Sequence, residues 1–212
     1  MRRFTFLSLL VLFVIATANA IAQEPPKNIV LILADDLGWS DTTLYGNTSL
    51  YETTNIERLA ARGMTFTNAY AAAPICSPTR ASIITGQNPA RNGFTTPAGH
   101  VPNIQLEPIA NESGPPHQKC TNVKSATRIN LSQPTLGRLL QDAGYATAHF
   151  GKWHLGMEPY SPLEFGFDVD VPHWHGPGPK TGYLAPWGYE NFVEGSRETI
   201  SKIGWRKKRS AG

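Results

Sequence analysis

The sequence predicts an α/β fold with a mostly parallel central sheet flanked by helices. Two observations carry this. Residues 28–38, NIVLILADDLG, hold an unbroken Val/Ile/Leu run without alternation, as in a strand buried on both faces. Beyond it, segments follow in the order strand, helix, strand, helix, irregular excursion, helix, strand, which is the pattern of parallel-sheet proteins.

The elements justify themselves in order. Residues 1–22 carry Arg2 and Arg3, an apolar run from Phe4 to Ile15, and small residues at Ala18, Ala20 and Ala22. This is the pattern of a cleaved export signal, and the run is too short to span a bilayer comfortably. Cleavage leaves no stable membrane span and puts the chain in the periplasm or outside the cell. Residues 28–38 end in Asp35 and Asp36, at the carboxyl end of the strand, where open α/β sheets keep their ligand sites.

Residues 53–63 read as a helix with Thr54 or Asn55 as N-cap, Ile56, Leu59 and Ala60 at helical spacing, and Gly63 as stop. Residues 64–73 read as a short strand. Residues 78–85 read as a helix, with Pro78 in the first turn, where its missing N–H costs little. Residues 97–128 have Pro, Gly and polar residues but no sustained period, and are expected to form a long excursion rimming a substrate pocket. Residues 132–144 read as a helix closed by Gly144, and residues 145–156 as a strand whose end carries Lys152 and His154. Residues 159–187 are rich in Pro, Gly and aromatics without period, and the stretch 199–212 is an atypical basic tail.

The net charge of +3 comes from the ends. Arg2, Arg3, Lys202, Arg206, Lys207, Lys208 and Arg209 account for it; the remaining 12 basic and 16 acidic residues give −4. A body of that sign is not a nucleic-acid-binding surface, so no nucleic acid is expected as partner.

Three residue groups carry possible chemistry. Adjacent carboxylates Asp35 and Asp36 repel unless a cation neutralises them, and oxygen donors suit Ca²⁺ or Mg²⁺; the same residues also make good turns. Cys76 opens a helix, a position that lowers a thiol pKa, with Arg80 one turn on. It is either a reactive nucleophile or a structural cysteine, and a disulfide to Cys120 is the simple alternative in an exported chain. Lys152 and His154, two apart, share one face if the strand continues, offering a cation for an anionic group and a titratable proton site. The remaining histidines, His100 among them, lack a companion pattern and read as surface or packing residues.

In combination these residues resemble a known family. CSPTRASIITGQNPARNG, beginning at Cys76, is similar to the type I sulfatase signature, Cys-x-Pro-x-Arg followed by Ala-Ser and Thr-Gly. NIVLILADDLGWSD resembles that family's opening strand with its acid pair, and GKWHLG resembles its Lys-x-His segment. The three occur in family order over residues 28–156.

The resemblance implies an alkaline phosphatase-like sulfatase fold, incomplete on its C-terminal side, with residues 23–198 as the N-terminal part of the catalytic domain. It implies that Cys76 is oxidised to Cα-formylglycine by a formylglycine-generating enzyme that reads Pro78 and Arg80. The hydrated aldehyde then attacks sulfur and expels the alcohol, and its second hydroxyl drives sulfate release. Asp35, Asp36 and residue 76 would hold the cation, Arg80 would fix the diol, Lys152 would bind sulfate and His154 would take a proton. The substrate would be a sulfated small molecule or glycan. Family members are longer and carry later ligands, so a truncated chain, inactive alone, is expected. The alternatives are a related phosphatase or phosphonate monoester hydrolase, and a non-catalytic exported fragment with a Cys76–Cys120 disulfide.

Overall fold

The computed structural model describes residues 27–46, 48–182, 184 and 186–189. The expected export signal, 1–22, and basic tail, 199–212, lie outside the described residues. The chain divides into two units, Met1–Ala34 and Asp35–Gly212.

In the first unit, residues 27–34 belong to no sheet, and Ile29, Val30, Leu31 and Ile32 are exposed. The expected buried strand is therefore not formed there. An apolar run becomes a strand only where a neighbour completes its hydrogen-bond ladder, and the run alone does not supply one.

The second unit holds four helices among the described residues: α1 (Thr54–Ala60), α2 (Cys76–Thr85), α3 (Pro89–Asn92) and α4 (Leu136–Asp142). Helix α1 starts after Thr53, slightly ahead of the expected cap. Helix α2 includes Cys76 itself, two residues earlier than expected, with Pro78 still in the first turn. It stops at Gly86, which takes φ +68° and gives its N–H to the Ser82 carbonyl at 2.8 Å. Thr135 caps α4: its hydroxyl accepts the Arg138 N–H at 3.4 Å and donates to the Phe165 carbonyl at 2.7 Å.

Strands are short. β1 (Ile109–Ala110) and β2 (Val123–Lys124) form an antiparallel pair inside the irregular excursion. β3 (Ala148–Phe150) and β4 (Val169–Val171) pair in parallel, with Ala148 opposite Val169 and Phe150 opposite Val171. Residues 64–73 form no strand. Among the described residues the sheet content is these two pairs, so the mostly parallel central sheet is represented only by β3 and β4.

The core consists of Ala81 from α2, Phe94, Ala126, Ile129, Trp153, Leu155 and Phe165. Ala81 lies one turn beyond Ser77 and Pro78, the other buried residues of α2, so one face of the helix seats on the core. Trp153 and Phe165 rings lie 5.7 Å apart between centroids. Burying each of these large side chains is worth about 2–3 kcal/mol. The core thus anchors α2 on one side and the segment after β3 on the other, the two pieces that carry the site.

Candidate functional site

The loop entering from Asp35, the start of α2 and the segment leaving the carboxyl end of β3 meet at one place. Asp35 lies in a turn, with Asp36 beside it at φ +55°. Asp35 accepts from both cations: Arg80 Nη2 at 2.9 Å on Oδ1 and Lys152 Nζ at 2.6 Å on Oδ2. Burial raises the Asp35 carboxyl, but hydrogen bonds and charge from Lys152 and Arg80 outweigh it and hold it below the ordinary aspartate value. Arg80 also donates through Nη1 to the Lys152 carbonyl, tying α2 directly to the Lys-x-His segment.

Candidate ligand atoms of Asp35, Asp36 and Cys76 all lie within 4.8 Å of one another. Two carboxylates suit a hard divalent cation, and the Cys76 thiol as it stands is a softer third donor. The fit is partial, because Ca²⁺ takes about six to eight oxygens. Both cysteines are free, so the Cys76–Cys120 disulfide is not formed.

Lys152 and His154 do not share a strand face. β3 ends at Phe150, and His154 takes φ +58°, which breaks the alternation on which that expectation rested. Lys152 turns to Asp35, whereas His154 is buried, 1% exposed. Its Nε2 lies 2.7 Å from His100 Nδ1, and its buried Nδ1 has no hydrogen-bond partner. Burial, then the charges of Lys152, His100 and Arg80, push the His154 pKa down to about 4, against a raising influence from Asp35.

His100 is the residue that sequence reasoning missed. Its partner lies 54 positions away, and no periodicity marks the stretch that carries it. Two buried residues hold it. Arg128, 2% exposed, donates to the carbonyls of Gly99 at 3.3 Å and Val101 at 2.6 Å, on either side of His100. Ser77 accepts the Gly99 N–H at 3.2 Å. The sequence carried no signal for this, because the burial of Arg128 and its carbonyl partners appear only in the fold. The excursion 97–128 is thus more than a rim: residues 125–129 are buried and support the site.

The chain is similar to known proteins along most of its described length. The sulfatase family model matches residues 27–185. N-acetylgalactosamine-6-sulfatase of Canis lupus familiaris is 43% identical over 161 residues, which are 76% of this chain and 28% of that protein. Arylsulfatase G of Rattus norvegicus is 39% identical over 165 residues, 77% of this chain and 27% of that one. Steryl-sulfatase of Homo sapiens is 35% identical over 167 residues, 74% and 24% of the two chains. The crystal structure of Ps i-CgsB aligns with 32% identity and a TM-score of 0.48, over 65% of this chain and 26% of that one. The chain belongs to the sulfatase family. It spans about a quarter of the length of the curated relatives it matches. Among the described residues no helix is long and apolar enough to cross a membrane.

Proposed function

We propose that the chain forms the nucleophile side of a sulfate ester hydrolase centre that works outside the cytoplasm. The observation supporting this is the meeting of Asp35, Asp36 and Cys76 within 4.8 Å, with Arg80 and Lys152 on the same carboxylate. In this reading Cys76 is converted to Cα-formylglycine by a partner enzyme, and its hydrated side chain is the nucleophile. Asp35, Asp36 and residue 76 would hold Ca²⁺ or Mg²⁺, which would supply positive charge beside the sulfate oxygens.

The chain's own residues do the rest. Position 76 opens α2, where free N–H groups favour an anion. Arg80, fixed to Asp35 and the Lys152 carbonyl, orients the residue-76 hydroxyls. Lys152 exchanges part of its hold on Asp35 for a sulfate oxygen. His154 stays neutral at pH 7, so a ring nitrogen is free to accept a hydroxyl proton, and an arriving sulfate raises its basicity. The fold in this reading is the α/β sheet fold of the family. The relatives named above are sulfatases of amino sugar, aryl and steryl esters, so the substrate class proposed is a sulfate ester of a small molecule or glycan.

The test is made on the full chain, co-expressed with a formylglycine-generating enzyme. The peptide holding position 76 is expected to be lighter than the thiol form by about 18 Da. Calorimetry with inorganic sulfate, in the presence of Ca²⁺, should show sulfate binding that Lys152→Ala and Arg80→Lys weaken. A thiol that persists in such a host, or inorganic phosphate bound in preference to sulfate, overturns the reading; the second result would favour a phosphatase.

A further inference from the structure

The contact between His100 and His154 has no part in the function proposed above. His100 Nδ1 lies 2.7 Å from His154 Nε2, and the two rings are tilted 32° apart with centroids separated by 4.9 Å. The other nitrogen of His154, Nδ1, is buried and has no hydrogen-bond partner. His100 is half-buried.

The backbone holds the two rings together. The Ser77 hydroxyl bonds both to the Gly99 N–H and to the His154 carbonyl, and Arg128 holds the carbonyls of Gly99 and Val101. The chain on either side of His100 is thus tied to the chain at His154. His154 itself takes φ +58°, a conformation that persists outside glycine only where its surroundings fix it.

The hydrogen bond at one imidazole nitrogen decides what the other one carries. His154 is neutral at pH 7, with its pKa at about 4. Between two neutral rings at this distance lies one hydrogen, and two arrangements exist. In the first, His100 Nδ1–H donates to His154 Nε2, and His154 carries its own hydrogen on Nδ1. In the second, His154 Nε2–H donates to His100 Nδ1, and His154 Nδ1 is a bare lone pair.

Three arguments favour the second. It puts both rings in the Nε2–H form that a neutral histidine side chain prefers, whereas the first puts both in the other form. It leaves no buried N–H without an acceptor at His154. The positive charges of Lys152 and Arg80 also act on the His154 ring, outweighing Asp35, and a lone pair meets positive charge better than an N–H does.

We propose that His100 is a positioning residue: by accepting the Nε2–H of His154 it keeps His154 Nδ1 as the lone pair that takes up a proton. The role rests on the sulfatase reading, in which that proton comes from a hydroxyl of residue 76. The O–H bond breaks with its electron pair left on oxygen, the proton bonds to Nδ1, and the imidazolium keeps its Nε2–H on His100. The tautomer itself rests on the pair geometry alone.

The full chain, labelled with nitrogen-15 at histidine and retaining its Cys76 thiol, is tested at pH 7.5. Long-range proton–nitrogen correlation spectra report which ring nitrogen carries hydrogen. His154 is expected in the Nε2–H form, by about tenfold or more over Nδ1–H. His100→Phe, which keeps a ring but offers no acceptor, should lower that ratio about fivefold, the effect of losing one neutral hydrogen bond. His100→Asn, whose side-chain oxygen stands near the place of Nδ1, should restore it. Hydrogen on His154 Nδ1 in the parent chain overturns the proposal by itself, whether or not a variant folds. An unchanged ratio in a folded His100→Phe overturns it too. The expected tautomer in a chain whose residue 76 is never modified and which binds no sulfate leaves the pairing standing and removes its part in sulfate ester cleavage.

Discussion

The Ser77 hydroxyl donates to the His154 carbonyl at 2.8 Å while accepting the Gly99 N–H at 3.2 Å. Ser77 follows the nucleophile position on α2, Gly99 precedes His100, and His154 ends the Lys-x-His segment. One buried hydroxyl thus ties the start of α2 to the segments that carry His100 and His154. Ser77→Ala leaves a buried N–H and carbonyl without their partner, and is expected to cost about 1–3 kcal/mol. A urea titration of the purified variant measures it. A midpoint unchanged from the parent would show that the tie carries no stability.

Gly99 faces the same junction from the other side. A Cβ there would lie 1.7 Å from the His154 carbonyl oxygen, backbone that has no flexible end to move. Gly99→Ala is expected to cost at least about 3 kcal/mol, the upper end for overpacking, or to prevent folding. Circular dichroism and the yield of soluble chain decide. A variant with parental stability would mean that residues 99 and 154 do not approach so closely.

These junctions show where the sequence was readable. Pro78 in a first turn marked the start of α2 by local chemistry, and Gly144 marked the end of α4; the Thr135 cap was not read, and α4 starts at Leu136, four residues later than expected. The acid pair and Lys152 were singled out by residue type, carboxylates for a cation and an ammonium for an anion, and the fold brings them together. What needed a distant partner was not. His100 becomes part of the site only through His154 and the carbonyl contacts of Arg128. β4 is three residues long, too short for a period, and exists through its pairing with β3. Residues 28–34 read as a strand on composition alone, and composition does not supply the neighbour.

Stability should fall as the solution is acidified, and His154 fixes the window. Its folded pKa is about 4, against 6.5 as the ordinary value. Between those values the unfolded chain takes up the proton and the folded chain does not, so acid favours unfolding. The loss begins below about pH 6.5 and reaches at most about 3 kcal/mol near pH 4, at about 1.4 kcal/mol per unit. Urea midpoints at pH 7.5 and pH 5 measure it. His154→Gln, which does not titrate, should shrink the difference; an equal loss in that variant would place the proton elsewhere.

Arg128 is expected to act on His100 without touching substrate. It is buried among the carbonyls of Gly99, Val101 and Thr127, and burial lowers its own pKa. Arg128→Met keeps volume but leaves those carbonyls unpaired, at a cost of about 1–3 kcal/mol. The structural cost alone would not alter His100. A changed His100 imidazole signal in the nuclear magnetic resonance spectrum would show that Arg128 positions it, and an unchanged one would reduce Arg128 to packing.

Lys152 and a divalent cation compete for Asp35. The ammonium sits 2.6 Å from Oδ2, on a carboxylate that also belongs to the candidate ligand set with Asp36 and Cys76. Lys152→Met frees that oxygen and removes a positive charge, so Ca²⁺ should bind more tightly, by about tenfold for about 1.4 kcal/mol of relieved repulsion. The same change takes away a sulfate contact, so affinity for inorganic sulfate should fall. Asp36→Asn removes a donor without freeing a competitor and should weaken Ca²⁺ alone. Calorimetry with each ion on each variant separates the two effects. Weaker Ca²⁺ in Lys152→Met would mean that the lysine organises the acid pair, and that the cation does not displace it.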